Sequence, residues 1–309
     1  EVVPEQPVLT AVHGLGDVGA ALCRSGVGKL AFTGSPATGR KVMAACAETL
    51  TPVLVEAGGK DAMIVDADAD LDAAAEACVW GAFTNAGQTC IGIERAYVVA
   101  PVYDAFVARV VDRAARLTVG AEDADIGPIT MPGQLEIIRR HITDALARGG
   151  RAVLGGADAV RPPYVWPTIL VDVPEDAAAV REETFGPTLT ITRVADVEEA
   201  VDRANAVPYG LGGAVFSRRA GMAIARQLRT GMAAVNATLA FVGMSTLPFG
   251  GVGESGFGRI HGPDGLREFA RAKAVTRRRV RSPLPATTFD RTPVDVARLV
   301  KVAKILYGR

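Results

Sequence analysis

Short apolar runs alternate with amphipathic stretches along almost the whole chain. The runs at 8–12 (VLTAV), 29–32, 52–56, 61–65, 95–100, 152–154, 168–173, 188–194, 211–216 and 232–236 predict strands, being short and bounded by turn residues. Between them, helical periodicity predicts helices over 40–49, 71–80, 102–117, 134–148, 196–206 and 222–229. Tyr103, Phe106, Val107, Val110, Val111 and Ala114 would form one apolar face, Asp196 a cap, and Gly149-Gly150 a stop. Alternation of strand and helix, with no internal repeat, predicts an α/β class with mostly parallel pairing. Residues 248–259 (PFGGVGESGFGR) read as a loop or hinge, too glycine-rich for a packed element. Beyond it, Leu266 and Phe269 predict one helical turn anchored on the core, 272–280 a strand, and 293–307 a helix.

Charge and composition narrow the classes. The 309 residues are 49% hydrophobic and carry 34 basic against 34 acidic residues, which argues for a globular protein and against a nucleic-acid-binding one. Six Lys or Arg between Arg271 and Arg281 admit a basic groove, although a charged edge strand that guards against aggregation is the favoured reading. Arg298, Lys301 and Lys304 in the final helix admit a membrane-surface contact; packing on the protein body, without firm membrane association, is favoured. Four scattered cysteines, Cys23, Cys46, Cys78 and Cys90, show no metal-ligand spacing, so the metal expectation is none. Free thiols predict a reducing, cytoplasmic setting. The first residue is Glu1 rather than Met, and the expectation is a piece of something longer.

Candidate chemistry clusters at four stretches. Asn85-Ala86-Gly87-Gln88-Thr89-Cys90 delivers a small thiol at the end of turn-forming residues, where a nucleophile can be exposed near backbone N–H groups. Most lone cysteines are instead small core residues. Gly34-Ser35-Pro36-Ala37-Thr38-Gly39 opens a helix and suits a backbone approaching a phosphate, or simply a capped helix start. Glu56 ends a strand before Gly58-Gly59, at the carboxyl edge where α/β sheets bind ligands; a solvated loop charge is the alternative. Gly14-Leu15-Gly16-Asp17-Val18-Gly19 fits G-x-G-x-x-G between a strand and a helix but lacks the acidic residue about 20 positions on.

Taken together the blocks resemble the aldehyde dehydrogenase superfamily. Phe32 to Gly39 is similar to its FTGSxxxG turn, Val55 to Lys60 to its E-L-G-G-K motif with Ala57 in place of Leu, and Asn85 to Cys90 to its cysteine motif. The gap of 34 residues from Glu56 to Cys90 is the one expected of such a protein. Glu182 to Pro187 resembles E-E-x-F-G-P, and Tyr209-Gly210-Leu211 and Pro248-Phe249-Gly250-Gly251 fit later blocks.

The resemblance implies oxidation of a small-molecule aldehyde to a carboxylic acid with NAD or NADP. Cys90 would be the nucleophile and Glu56 the base that activates the deacylating water. Gly34, Ser35 and Gly39 would lie along the cofactor's pyrophosphate, and Glu183 and Phe185 would flank its nicotinamide ribose. Glu56 favours water over coenzyme A as acceptor, and the Gly14–Gly19 turn becomes structural. The implied fold is an aldehyde-dehydrogenase-like α/β arrangement: 1–58 part of a Rossmann-like cofactor domain, 59–256 a catalytic domain, and 257–309 a bridging or oligomerisation strand with a helical extension. The implied assembly is a homodimer or homotetramer when full length. The P-W-N and K-P-x-E segments of such proteins are missing here, so the chain alone is expected to be weakly active or inactive. A non-catalytic remnant that binds only cofactor or partners is the other reading.

Overall fold

The structure is a computed structural model that describes residues 8–280 and 284–308. Two compact units divide it, Glu1–Phe269 and Ala270–Arg309.

In the first unit the elements run α1 (Gly16–Cys23), β1 (Leu30–Gly34), α2 (Pro36–Ala47), β2 (Val53–Ala57), β3 (Asp61–Val65), α3 (Leu71–Phe83), β4 (Ile93–Val99), α4 (Tyr103–Ala114) and α5 (Pro132–Ala147). They continue through β5 (Arg151–Leu154), a small hairpin of β6 (Val160–Arg161) and β7 (Tyr164–Val165), β8 (Thr168–Val171), α6 (Ala178–Arg181), β9 (Thr188–Val194) and α7 (Val197–Ala204). Last come β10 (Gly213–Phe216), α8 (Gly221–Ala225), β11 (Ala234–Val235), β12 (Gly256–Phe257) and α9 (Gly262–Glu268).

Two sheets carry the unit. One has three strands in the order β1-β2-β12, the other seven in the order β11-β10-β3-β4-β9-β8-β5. The large sheet is parallel except at β5, which runs antiparallel to β8 at one edge. Its central strands are buried on both faces, which is why they read as continuous apolar runs rather than alternating ones. Met63, Val65, Ala96 and Val98 enter one core with α3 and α4, while Ala62, Ile64, Tyr97 and Val99 enter the other with α7 and α8. The side-chain period of two divides each strand between the two layers.

Caps fall where the residues direct them. Asp70 accepts from the N–H groups of Asp72 and Ala73 at the start of α3, and Asp196 from that of Glu199 at the start of α7.

Several expectations change. Residues 8–12 form no strand and are exposed, because a strand exists only through a ladder partner. Residues 272–280 likewise carry no strand among the described residues, so the expected oligomerisation strand is absent there; Arg281, the last of the basic run, lies outside the described residues. Leu266 does not anchor its turn, being 77% exposed, and Phe269 takes the Lys29 ammonium over its ring at 5.7 Å. Residues 248–259 are packed rather than hinge-like. Gly256 pairs with Glu56 in β12, with φ at +97°, and a side chain there would strike the Val55 backbone. Close approach of two backbones, not freedom, accounts for that glycine.

In the second unit α10 (Pro293–Tyr307) is the one helix among the described residues. A capping box starts it: Thr292 Oγ1 accepts from the Asp295 N–H, and Asp295 Oδ2 accepts from the Thr292 N–H.

Candidate active site

The two sheets meet at the glycine pair. β2 ends the small sheet's run at Ala57, Gly58 to Lys60 cross over, and β3 starts the large sheet at Asp61. Parallel register sets Thr33 beside Glu56 and Gly34 beside Ala57, so two of the sequence motifs share one sheet edge. The other motifs lie just before β4, β9 and β10, at the opposite, amino-terminal edge of the large sheet. A cleft of about 860 Å³ is lined from both edges by Thr33, Gly34, Ser35, Glu56, Cys90, Glu183, Phe185 and others.

Cys90 is delivered by a left-handed turn. Asn85, Ala86 and Gly87 have φ of 51°, 57° and 68°. Asn85 Nδ2 donates to the Gln88 carbonyl at 2.9 Å, and Gln88 Oε1 accepts from the Thr130 N–H at 2.8 Å. A side chain on Gly87 would fall on the Gly186 carbonyl, so this turn packs directly on the loop that carries Glu183. Cys90 itself is partly exposed, unlike Cys23, Cys46 and Cys78.

That Glu183 loop is pinned from beneath. Glu94, on β4, accepts from the Thr184 N–H at 2.8 Å and the Phe185 N–H at 2.9 Å, and it is ion-paired with the fully buried Lys60. Lys60 Nζ also donates to Thr184 Oγ1 at 3.2 Å. Burial pushes the Lys60 ammonium down, with Glu94 opposing. Phe185 holds φ at +47°, a strain that these bonds stabilise. Ser255 Oγ donates to the Gly58 carbonyl at 2.8 Å and accepts from the Gly210 N–H at 3.0 Å, which locks the crossover to the later loop.

The cleft is electrostatically acidic around its thiol. Burial, then Glu56, Asp61 and Glu183, raise the Cys90 thiol to about 11, and only the Ile91 N–H opposes them. Burial holds the Glu56 carboxyl above its usual range, with His261 pulling the other way. Glu183 is pushed up to about 8, first by burial and then by Glu94, while the Gly59 N–H lowers it. Asp61 is raised to about 7 by burial; Oδ1 accepts from the Gly212 N–H at 3.0 Å, and Oδ2 has no partner. A carboxyl and a thiol that line one cleft can serve as base and nucleophile.

Of the residues singled out from sequence, Gly34, Ser35, Glu56, Cys90, Glu183 and Phe185 line one cleft. Gly39 does not. It is buried in α2, where an added Cβ would lie 3.2 Å from Val55 Cγ1, so helix-to-sheet packing accounts for it. Ser35 caps α2 by accepting from the Thr38 N–H at 3.3 Å, and Gly34 leaves room beside the Phe32 ring. Gly16 and Gly19 lie in α1 and face open space, and neither lines this cleft. Sequence reasoning missed Lys60, Asp61, Glu94 and Ser255; the first two directly follow the Gly-Gly pair, but a buried ion pair 34 positions apart leaves no local signature. No group of described residues could hold a metal ion.

Comparison with known proteins shows the family. Residues 2–275 match the model of the aldehyde dehydrogenase family. The chain is 40% identical over 303 residues to 4,4'-diapolycopene aldehyde oxidase of a Methylomonas species, covering 96% of this chain and 56% of that protein. The crystal structure of betaine aldehyde dehydrogenase from Staphylococcus aureus with NAD+ superposes with a TM-score of 0.78 at 30% identity, over 84% of this chain and 53% of that one. An NADP-dependent enzyme of E. coli gives 0.79 at 35% identity, over 84% and 55%. The chain therefore spans little more than half the length of these relatives.

Proposed function

The chain belongs to the aldehyde dehydrogenase family, and from that premise we propose that its cleft serves the oxidation of an aldehyde to a carboxylic acid with NAD or NADP. The observation that carries this reading is the single cleft that holds Cys90, Glu56 and Glu183 together, from three separate stretches of sequence.

Cys90 Sγ adds to the aldehyde carbonyl and gives a thiohemiacetal. Its proton must leave as it adds, because a thiol raised to about 11 is almost wholly protonated at neutral pH. That proton passes to solvent, and Glu56, whose carboxyl burial holds above its usual range, serves the water that follows. A bound nicotinamide cofactor would supply the acceptor for the hydride that the Cys90 adduct loses in becoming a thioester. Glu56 then takes a proton from the attacking water, and the acid leaves as Cys90 regains its thiol.

The cofactor fits the residues present. Gly34 and Ser35 open the cleft at the N-terminus of α2, where backbone N–H groups and the helix dipole favour an anion such as a pyrophosphate. Glu183, which a side chain on Gly58 would strike, is held at the cleft wall for the nicotinamide ribose. Residues 1–58 would form part of the cofactor domain, 59–256 the catalytic domain and 257–309 a bridge between subunits, with the whole protein a cytoplasmic homodimer or homotetramer.

An activated ester tests the thiol and its base without cofactor. Incubation with p-nitrophenyl acetate should give a burst of p-nitrophenol followed by turnover. Cys90→Ser should abolish both. Glu56→Gln should keep the burst and slow turnover by about 10²–10⁴-fold. Turnover that survives Cys90→Ser would sink the assignment, and neither burst nor turnover in the unsubstituted chain would favour the non-catalytic remnant.

A further inference from the structure

The chain's neutrality conceals a strong segregation of charge. Residues 270–309 hold eleven of the 34 basic residues and two of the 34 acidic ones, a net +9, which leaves −9 over residues 1–269. This basic unit ends in a helix with two unlike sides. At 3.6 residues per turn, Val296, Leu299, Val300, Ala303, Leu306 and Tyr307 fall along one side of α10, while Arg298, Lys301 and Lys304 fall on the other, where Val294 and Ile305 lie between them. None of the helix's residues is buried, and Leu306 and Tyr307 are 67% and 85% exposed. Its one acidic residue, Asp295, is taken up by the capping box with Thr292.

We propose that α10 and the basic residues before it bind the surface of an anionic lipid bilayer, with the apolar side in the acyl boundary and the cationic side at the headgroups. The charge decides the occupant. A cationic helix that presents an apolar side is matched by a surface both negative and oily, whereas nucleic acid offers no place for Val300 or Leu306. Arg277, Arg278 and Arg279 add cations in the same unit and strengthen attraction to phosphate headgroups. Insertion across the bilayer is not involved, since no described helix is long and apolar enough to cross a membrane. A single such helix gives reversible, salt-sensitive attachment. The binding is independent of the chemistry in the cleft.

Flotation of the full 309-residue chain with lipid vesicles tests this and separates bound protein from aggregates. With phosphatidylglycerol–phosphatidylcholine vesicles the floating fraction should exceed that with phosphatidylcholine alone by about tenfold, and it should fall severalfold between about 0.05 and 0.5 M salt. Val300→Asp and Leu306→Asp should each reduce binding about tenfold, as should Lys301→Glu with Lys304→Glu. These positions are exposed, so circular dichroism should report an unchanged fold. Equal binding to neutral vesicles, no flotation, or binding untouched by every substitution would overturn the proposal. So would a shift of duplex DNA in place of vesicle binding, which would assign the basic unit to nucleic acid.

Discussion

The Gly59 N–H donates to Glu183 Oε1 at 3.2 Å, joining two motifs that are 124 residues apart. The carboxylate can come this close only because Gly58 has no side chain: a Cβ there would fall on the Glu183 carboxyl. The glycine pair is thus a mould for Glu183. It is also the crossover between the sheets, so a change here reaches both the Glu183 wall of the cleft and the backbone of Cys90.

Gly58→Ala should destabilise the fold by about 1–3 kcal/mol, the usual cost of overpacking. In a Glu183→Ala background the same change should cost at least about 0.5 kcal/mol less, since the clashing group is gone. Denaturant unfolding of the four chains measures the coupling; strict additivity would mean that the two residues do not touch.

Lys60→Met should cost about 3–5 kcal/mol, because Glu94 would keep a charge that is buried without its cation. Glu94→Gln added to it should recover part of the loss. Thermal unfolding that ranks the double variant below the single one would contradict the pairing.

Alkylation of Cys90 by iodoacetamide should rise about tenfold per pH unit from 7 to 10, without a plateau, because the thiol titrates near 11. Glu56→Gln removes a neighbouring negative charge, so the thiolate forms more easily and alkylation at pH 9 should speed up. The same variant should slow deacylation. Opposite effects from one substitution distinguish a base from a purely structural carboxylate.

Stability should fall as pH rises from about 6.5 to 8, above the range in which His141, lowered by burial to about 4, acts in the opposite sense. Asp61 and Glu183 have folded-state values of about 7 and about 8, above the ordinary carboxyl range, so the native state binds more protons than the unfolded one in that window. Their contribution is fully present below the unfolded value and lost as pH rises through the folded one. Asp61→Asn, which keeps the acceptor for the Gly212 N–H, should flatten the profile. A denaturant midpoint that climbs through this range would rule out the assignment.

By itself the sequence determined the class of fold and singled out most of the candidate residues that line the cleft, though not Gly39. Apolar runs such as 61–65 and 95–99 can be buried only as strands covered on both faces, and Asp70 and Asp196 cap the helices they precede. The order and spacing of Glu56, Cys90 and Glu183 were visible because such motifs are contiguous in sequence. Only the tertiary structure decided which neighbours complete them. The Lys60–Glu94 pair, the unpaired Asp61 oxygen and the packing of Gly87 on Gly186 are contacts between distant segments, which local periodicity does not encode. It also decided which apolar patterns become structure. Residues 8–12 and 272–280 have strand-forming side chains, but a strand forms only through hydrogen bonds to a neighbouring one.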